Sequence, residues 1–202
     1  MTESSPLHPA AALQSLLEGN TRFVEGRREH PNQDADRRTE LQSGQDPFAV
    51  VFGCSDSRVA AEIIFDRGLG DLFMVRTAGQ VVDAAVLGSV EFAVDQLGVP
   101  LVLILGHDNC GAVNAAAASV ESGRLPAGYV RDIVERITPA VMAIRKVGGT
   151  IDDMVAENVR QAGSLLLERS PILARKVDSG KCRIVGVVYD LVDGRVRLVE
   201  ER

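Results

Sequence analysis

Residues 48–58, FAVVFGCSDSR, decide the fold. The first five are apolar and include β-branched and aromatic side chains, which is typical of a strand buried on both faces. Gly53 ends this run, and Cys54, Asp56 and Arg58 follow at once. Because ligands bind at the carboxyl ends of the strands in open α/β sheets, the stretch predicts a functional site.

A second stretch of the same form is LVLILGHDNCG at residues 101–111. An apolar run again ends at a glycine, and His107 and Cys110 follow it. Neighbouring parallel strands end at the same edge of a sheet. We therefore expect Cys54, His107 and Cys110 to lie close together.

The rest of the chain alternates strand-like and helix-like segments. Strands are predicted at 48–52, 71–75, 101–105, 182–189 and 195–199, and helices at 9–24, 59–65, 80–98, 110–122, 128–147, 151–167 and 171–177. The strand, helix, strand order predicts parallel crossovers and an α/β fold. Asp193-Gly194 is typical of a hairpin turn between the last two strands.

The polar connection at residues 26–46 has no sustained apolar period, and a connection of this length is usually an arm or a functional loop. The amphipathic helix before it can pack on its own domain or on a partner subunit, and the pattern favours neither. We expect one domain over residues 1–202, with an N-terminal helix and arm at 1–46 and an α/β core at 47–202.

Composition excludes several function classes. Of 202 residues 46% are hydrophobic, and 22 basic against 28 acidic residues give a net charge of −6, which argues against nucleic acid or an anionic membrane as partner. No apolar run approaches the roughly 20 residues of a membrane span. The N-terminus lacks the cationic start and apolar segment of a signal peptide. We expect a cytoplasmic protein without membrane or nucleic-acid partners.

Two thiolates and an imidazole suit a tetrahedral zinc ion, and a catalytic zinc site uses three protein ligands and keeps the fourth position open. Cys54, His107 and Cys110 match that count. The alternative is that both cysteines are small buried hydrophobes and His107 a helix-start cap. The ligand preferences favour zinc. Cys182 lies in a predicted strand away from both motifs, which indicates a buried thiol.

Asp56 and Arg58 form a second candidate group. A carboxylate two residues from a zinc thiolate can reach the ion and close the site. A guanidinium can hold that carboxylate through two parallel hydrogen bonds and so leave room for water. The alternative is an ordinary loop salt bridge, which contributes at most about 1 kcal/mol when exposed.

Cys54-Ser55-Asp56-Ser57-Arg58 followed by Gly106-His107-Asp108-Asn109-Cys110-Gly111 resembles the paired signature of the β-class carbonic anhydrases. The resemblance implies zinc ligands at Cys54, His107 and Cys110, with Asp56 and Arg58 as the catalytic dyad. It implies an α/β fold with a mostly parallel central sheet flanked by helices. It also implies a homodimer or a dimer of dimers, with the N-terminal helix packing on a partner subunit and the active site at the interface.

Some members of this family bind substrate through a glutamine upstream of the first zinc cysteine. Gln45, nine residues before Cys54, matches that position, and its alternative role is that of a solvated loop residue. Other members hold an inhibitory bicarbonate with a tryptophan, an arginine and a tyrosine. Arg76 and Tyr189 stand at the matching places, but Val51 replaces the tryptophan, which argues against such a pocket.

The resemblance implies reversible hydration of carbon dioxide to bicarbonate and a proton. Zinc lowers the pKa of bound water from about 15.7 towards about 7, so hydroxide can be the nucleophile. We expect Asp56 to hold it and Gln45 to meet the oxyanion. Two alternatives stay open: a hydrolase of carbonyl sulfide or carbon disulfide with the same zinc site, and a non-catalytic zinc-thiolate redox sensor. A sensor has no need of the Asp56–Arg58 pair.

Overall fold

A computed structural model describes residues 7–202 of the chain. A five-stranded sheet lies at its centre. Its strands are β1 (Ala49–Cys54), β2 (Leu72–Thr77), β3 (Leu101–His107), β4 (Arg183–Tyr189) and β5 (Val196–Glu201). They lie in the order β2-β1-β3-β4-β5; β5 is antiparallel to β4, and the other three pairs are parallel. The mostly parallel sheet and the final hairpin are thereby confirmed.

Helices cover both faces of this sheet. They are α1 (Pro9–Val24), α2 (Ala35–Glu40), α3 (Ala61–Ile64), α4 (Ala84–Glu91), α5 (Gly111–Ser122), α6 (Val130–Lys146), α7 (Ile151–Arg169) and α8 (Pro171–Asp178). Single 3-10 turns lie at Leu41–Ser43 and Ala78–Gln80, and a π-helical turn at Phe92–Gln96.

Alternate residues of the central strands enter two different apolar layers, because successive side chains of a strand point to opposite faces. Phe52 and Ile104 belong to the larger layer, which α4 to α8 cover. Val51 and Leu103 belong to the smaller layer, which includes residues of α1 and α3. Every residue of β1 and β3 is buried, as the uninterrupted apolar runs predict.

Helix α1 lies against the chain's own sheet. Leu16 is fully buried in the smaller layer. The buried Asn20 side chain donates to the carbonyls of Ile64, at 3.3 Å, and Gly194, at 2.8 Å, and it accepts from the amide of Val196 at 3.1 Å. Of the two sequence-based alternatives, the structure therefore shows packing on the same chain. Packing on a partner subunit stays a prediction.

Two stretches differ from their predicted form. Residues 26–46, expected as a connection without helical period, contain the short polar helix α2, which begins because the Asp34 carboxylate accepts from the Arg37 amide at 2.8 Å. The helix predicted over 80–98 begins later than expected, because Gln80 ends a 3-10 turn and residues 81–83 are not helical. Asp83 caps a new start by accepting from the Val86 amide at 2.8 Å, so α4 begins only at Ala84.

No helix between residues 7 and 202 combines the length and the apolar character that crossing a membrane requires. Residues 1–6 lie outside the described residues. The prediction about a signal peptide and the start of the predicted arm both fall partly on them.

Candidate metal centre

Three predicted ligands converge at the carboxyl edge of the sheet. Cys54 ends β1, His107 ends β3, and Cys110 directly precedes α5. The parallel pairing of β1 with β3 brings the two strand ends together. All three residues are buried, and their sulfur and ring nitrogen atoms lie within 4.8 Å of one another. Such a set of two thiols and an imidazole can hold one tetrahedral metal ion.

His107 presents one ring nitrogen to this cluster. Its Nδ1 lies 2.8 Å from the Asp108 carbonyl oxygen, which can only accept, so Nδ1 carries the proton and donates. Nε2 is then the lone-pair atom. It is buried and has no hydrogen-bond partner among the described residues. Buried polar atoms are nearly always satisfied, and a second-shell carbonyl on the other nitrogen is usual for a metal-bound histidine, so the imidazole fits a metal ligand.

The pKa values of the two thiols shift in opposite directions. The hydrogen bond from Cys110 lowers the pKa of Cys54, outweighing burial, and the hydrogen bond from the Gly79 amide lowers it further. The same bond to Cys54, together with burial, raises the pKa of Cys110. Burial works to lower the pKa of His107, but the charge of the nearby Cys54 sulfur prevails and raises it. A cation would replace these shared protons, because metal ligands bind deprotonated.

Arg58 holds Asp56 beside the cluster. Its Nε donates to Oδ1 at 2.9 Å, its Nη2 to Oδ2 at 2.7 Å, and its backbone amide to Oδ1 at 2.9 Å. These hydrogen bonds hold the pKa of Asp56 well below its usual range. Oδ2 lies 3.9 Å from Nε2 of His107. The carboxylate is thus ionised, next to the ligand atoms, and bound to a guanidinium.

Arg76 fixes the turn that carries these groups. Its Nε donates to the Cys54 carbonyl at 3.0 Å and its Nη2 to the Asp56 carbonyl at 2.7 Å. From the sequence, Arg76 was considered only as part of an inhibitory pocket, so this role was missed. Its position in β2, at the strand end next to β1, is the signal that could have indicated it.

Gln45 is not brought to the centre of its own chain. It is exposed and precedes β1, whereas Cys54 ends that strand. The five steps from Ala49 to Cys54, at about 3.3 Å each, separate the two ends of the strand by about 16 Å.

Cys182 lies apart from the metal ligands, just before β4, and is buried as predicted. Burial raises the pKa of its thiol to about 12.

The chain has clear relatives among known proteins. The family profile described as carbonic anhydrase matches residues 49–196. Carbonic anhydrase 2 of Mycobacterium tuberculosis is 54% identical over 192 residues, covering 95% of this chain and 93% of the relative. The solved β-carbonic anhydrase of Coccomyxa, in complex with acetazolamide, has a TM-score of 0.73 at 25% identity and covers 94% of this chain and 87% of that one.

A tetrameric β-carbonic anhydrase of Sordaria macrospora shares the fold, with a TM-score of 0.71 at 22% identity over 94% of this chain and 98% of that one. The profile match, the bacterial relative and the shared fold agree with the paired motif. The chain therefore belongs to the β-class carbonic anhydrases and is an enzyme of that family.

Proposed function

We propose that this chain catalyses the reversible hydration of carbon dioxide to bicarbonate and a proton, with one zinc ion held by Cys54, His107 and Cys110. One observation carries the proposal: His107, whose buried Nε2 has no hydrogen-bond partner among residues 7–202, offers a ring nitrogen within 4.8 Å of two thiol sulfurs. This donor set suits zinc because soft thiolates and imidazole are its preferred ligands.

Zinc, when bound, supplies a Lewis acid that makes hydroxide available near neutral pH. The contribution of Asp56 follows from its ionised state. A carboxylate can only accept, so Asp56 would accept a hydrogen bond from the attacking water or hydroxide and orient it towards carbon dioxide. The 3.9 Å between Oδ2 and Nε2 of His107 supports this role, because Oδ2 is close to the ligand atoms.

Arg58 keeps the site open. Without a partner, the Asp56 carboxylate would compete for the fourth coordination position, because a carboxylate oxygen is itself a zinc ligand. The two hydrogen bonds from one guanidinium fix the carboxylate plane and offset its attraction to the ion. The pair therefore controls access of substrate to the metal.

The oxyanion partner comes from a second copy. Gln45 is exposed and precedes the amino end of β1, the end of the strand opposite Cys54. In a homodimer or a dimer of dimers, Gln45 of one copy can enter the site of the other and donate its amide hydrogens to the developing carboxylate oxygen. The tetrameric relative of Sordaria macrospora supports an assembly of this kind.

Metal analysis combined with stopped-flow carbon dioxide hydration tests the proposal. We expect one zinc per chain, and hydration that is lost on chelation and restored by zinc. A zinc-loaded protein that hydrates carbon dioxide no faster than the apo form, yet releases sulfide from carbonyl sulfide, would instead support the hydrolase alternative. If Asp56→Asn leaves both zinc content and hydration unchanged, the catalytic assignment of Asp56 is wrong.

A further inference from the structure

A buried asparagine of α7 lies one hydrogen bond away from the metal centre. Asn158 is 6% exposed, and its Nδ2 donates to the carbonyl oxygen of Gly79 at 2.9 Å. The amide of the same glycine donates to Sγ of Cys54 at 3.3 Å. Gly79 thus connects a helix of the larger apolar layer to a predicted zinc ligand that lies 25 residues before it.

The backbone between these two bonds is held in an unfavourable conformation. Gly79 has φ 67° and ψ 24°, and Gln80 follows with φ 43°. Glycine adopts the left-handed conformation readily, but a non-glycine residue such as Gln80 does so at a cost and only where the surroundings enforce it. This turn aims the Gly79 amide at the sulfur of Cys54. It therefore needs fixed contacts on its other sides.

Helices from three directions supply those contacts. A Cβ atom on Gly79 would lie 2.6 Å from Cδ1 of Ile137 in α6 and 2.7 Å from Cβ of Ala112 in α5. Those two side chains are apolar and only limit the space. Asn158 supplies the directional polar contact to the Gly79 backbone from α7.

The placement of Asn158 indicates a specific task. Its neighbours on the buried face of α7, Val155 and Val159, are fully buried and apolar. A buried amide costs free energy unless it is hydrogen-bonded, so an asparagine on this face needs a partner. A cavity of about 550 Å³ lies beside Asn158, between α6 and α7. The Nδ2 group nevertheless donates to the carbonyl of Gly79.

We propose that Asn158 is a positioning residue that, by holding Gly79 in its left-handed turn, keeps the Gly79 amide hydrogen-bonded to the Cys54 thiolate and so tunes zinc binding. This inference rests on the proposed function, because it assumes that Cys54 binds zinc. An N–H donor on a metal thiolate fixes the direction of the sulfur lone pairs. Losing such outer contacts typically lowers metal affinity about 10- to 100-fold.

The test compares Asn158→Leu with Asn20→Leu. Asn20 is a matched control: it is also buried and also donates Nδ2 to backbone carbonyls, but it lies on α1 against the smaller apolar layer. Zinc affinity is measured by competition with a chelator. Cobalt-substituted protein gives a second readout, the thiolate-to-cobalt charge-transfer absorption, which loss of stability alone does not move.

We expect Asn158→Leu to weaken zinc binding about 10- to 100-fold and to shift the charge-transfer band, while Asn20→Leu changes neither. Equal zinc affinity in wild type and Asn158→Leu would overturn the inference, and so would equal losses in both variants. Should Asn158→Leu not fold, Asn158→Ala takes its place. Failure of both to fold assigns Asn158 a purely structural role and also overturns the inference. If the wild type binds no zinc, the proposed function fails first.

Discussion

Arg58 contacts both carboxylate oxygens of Asp56, with Nε 2.9 Å from Oδ1 and Nη2 2.7 Å from Oδ2. Oδ2 also lies 3.9 Å from Nε2 of His107. A movement of a few ångströms would therefore bring the carboxylate among the metal-ligand atoms. Under the proposed function, the geometry of this one ion pair decides whether a bound zinc ion keeps an open coordination position.

Arg58→Lys should lower carbon dioxide hydration by about 10- to 100-fold without loss of zinc. A lysine keeps the charge but cannot form two parallel hydrogen bonds, so Asp56 is freed to close the site. Stopped-flow hydration and metal analysis of the same sample measure this. Arg131→Lys is the control, because Arg131 pairs with Glu135 on the exposed surface of α6. Wild-type hydration by Arg58→Lys would contradict the gating role.

Cys110→Ser should abolish stoichiometric zinc binding, whereas Cys182→Ala should retain one zinc per chain. A neutral hydroxyl is a far poorer zinc ligand than a thiolate. Cys182 is buried away from the cluster, and its pKa of about 12 keeps it protonated and unreactive at neutral pH. Metal analysis after dialysis distinguishes the two variants. Zinc retained by Cys110→Ser would mean that the metal lies elsewhere.

Asp66→Asn should lower the free energy of unfolding at pH 7 by about 3 kcal/mol. The buried carboxylate accepts from Arg22 at 2.6 Å and from the amides of Glu29 and His30, each at 3.0 Å. Burial works to raise the pKa of Asp66, but these hydrogen bonds prevail and lower it. Its stabilising effect is therefore complete above the unfolded pKa of about 4 and is lost as the pH falls through the lower native pKa.

Urea unfolding of wild type and Asp66→Asn from pH 7 downward measures this, and the difference between them should shrink in acid. Asp95→Asn is the comparison, because the Asp95–Lys176 pair is partly exposed and should contribute less than about 1 kcal/mol. A difference between wild type and Asp66→Asn that grows on acidification would have the wrong sign for this assignment.

Mixing two inactive variants tests whether Gln45 acts across an interface. Gln45→Ala and Asp56→Asn should each hydrate carbon dioxide slowly as pure proteins. Unfolded and refolded together, they should regain up to about a quarter of wild-type activity, because half of random dimers are mixed and one of their two sites is complete. No recovery, in a mixture shown to contain mixed dimers, would contradict a role for Gln45 in the partner's site.

The sequence was most informative where local pattern and topology coincide. Apolar runs that end at Gly53 and Gly106 predicted two parallel strands ending side by side, and residue chemistry indicated the three candidate ligands that the structure brings together. The signals were weaker where polar caps override apolar periodicity. Asp83 starts a new helix inside a stretch whose valines and alanines alone indicate one continuous helix.

The contacts of Asn158 and Arg76 left only weak signs in the sequence. Asn158 meets Gly79 across 79 positions of the chain, and Arg76 contacts carbonyl oxygens, which every residue has. Such contacts depend on the tertiary packing of helices and strand ends. The one local sign of the Asn158 contact was a polar residue on an otherwise apolar face of α7.

The hydrogen bonds of Asn20 join α1 to Gly194 and Val196, which follow Asn20 by 174 and 176 positions. During synthesis, α1 leaves the ribosome long before the β4–β5 hairpin that completes the surface on which α1 packs. At about 5–20 residues per second, that interval is on the order of ten seconds or more. Throughout it the apolar face of α1 has no finished surface of its own chain to cover it. The packing of α1 on its own sheet can therefore be completed only after nearly the whole chain has been synthesised.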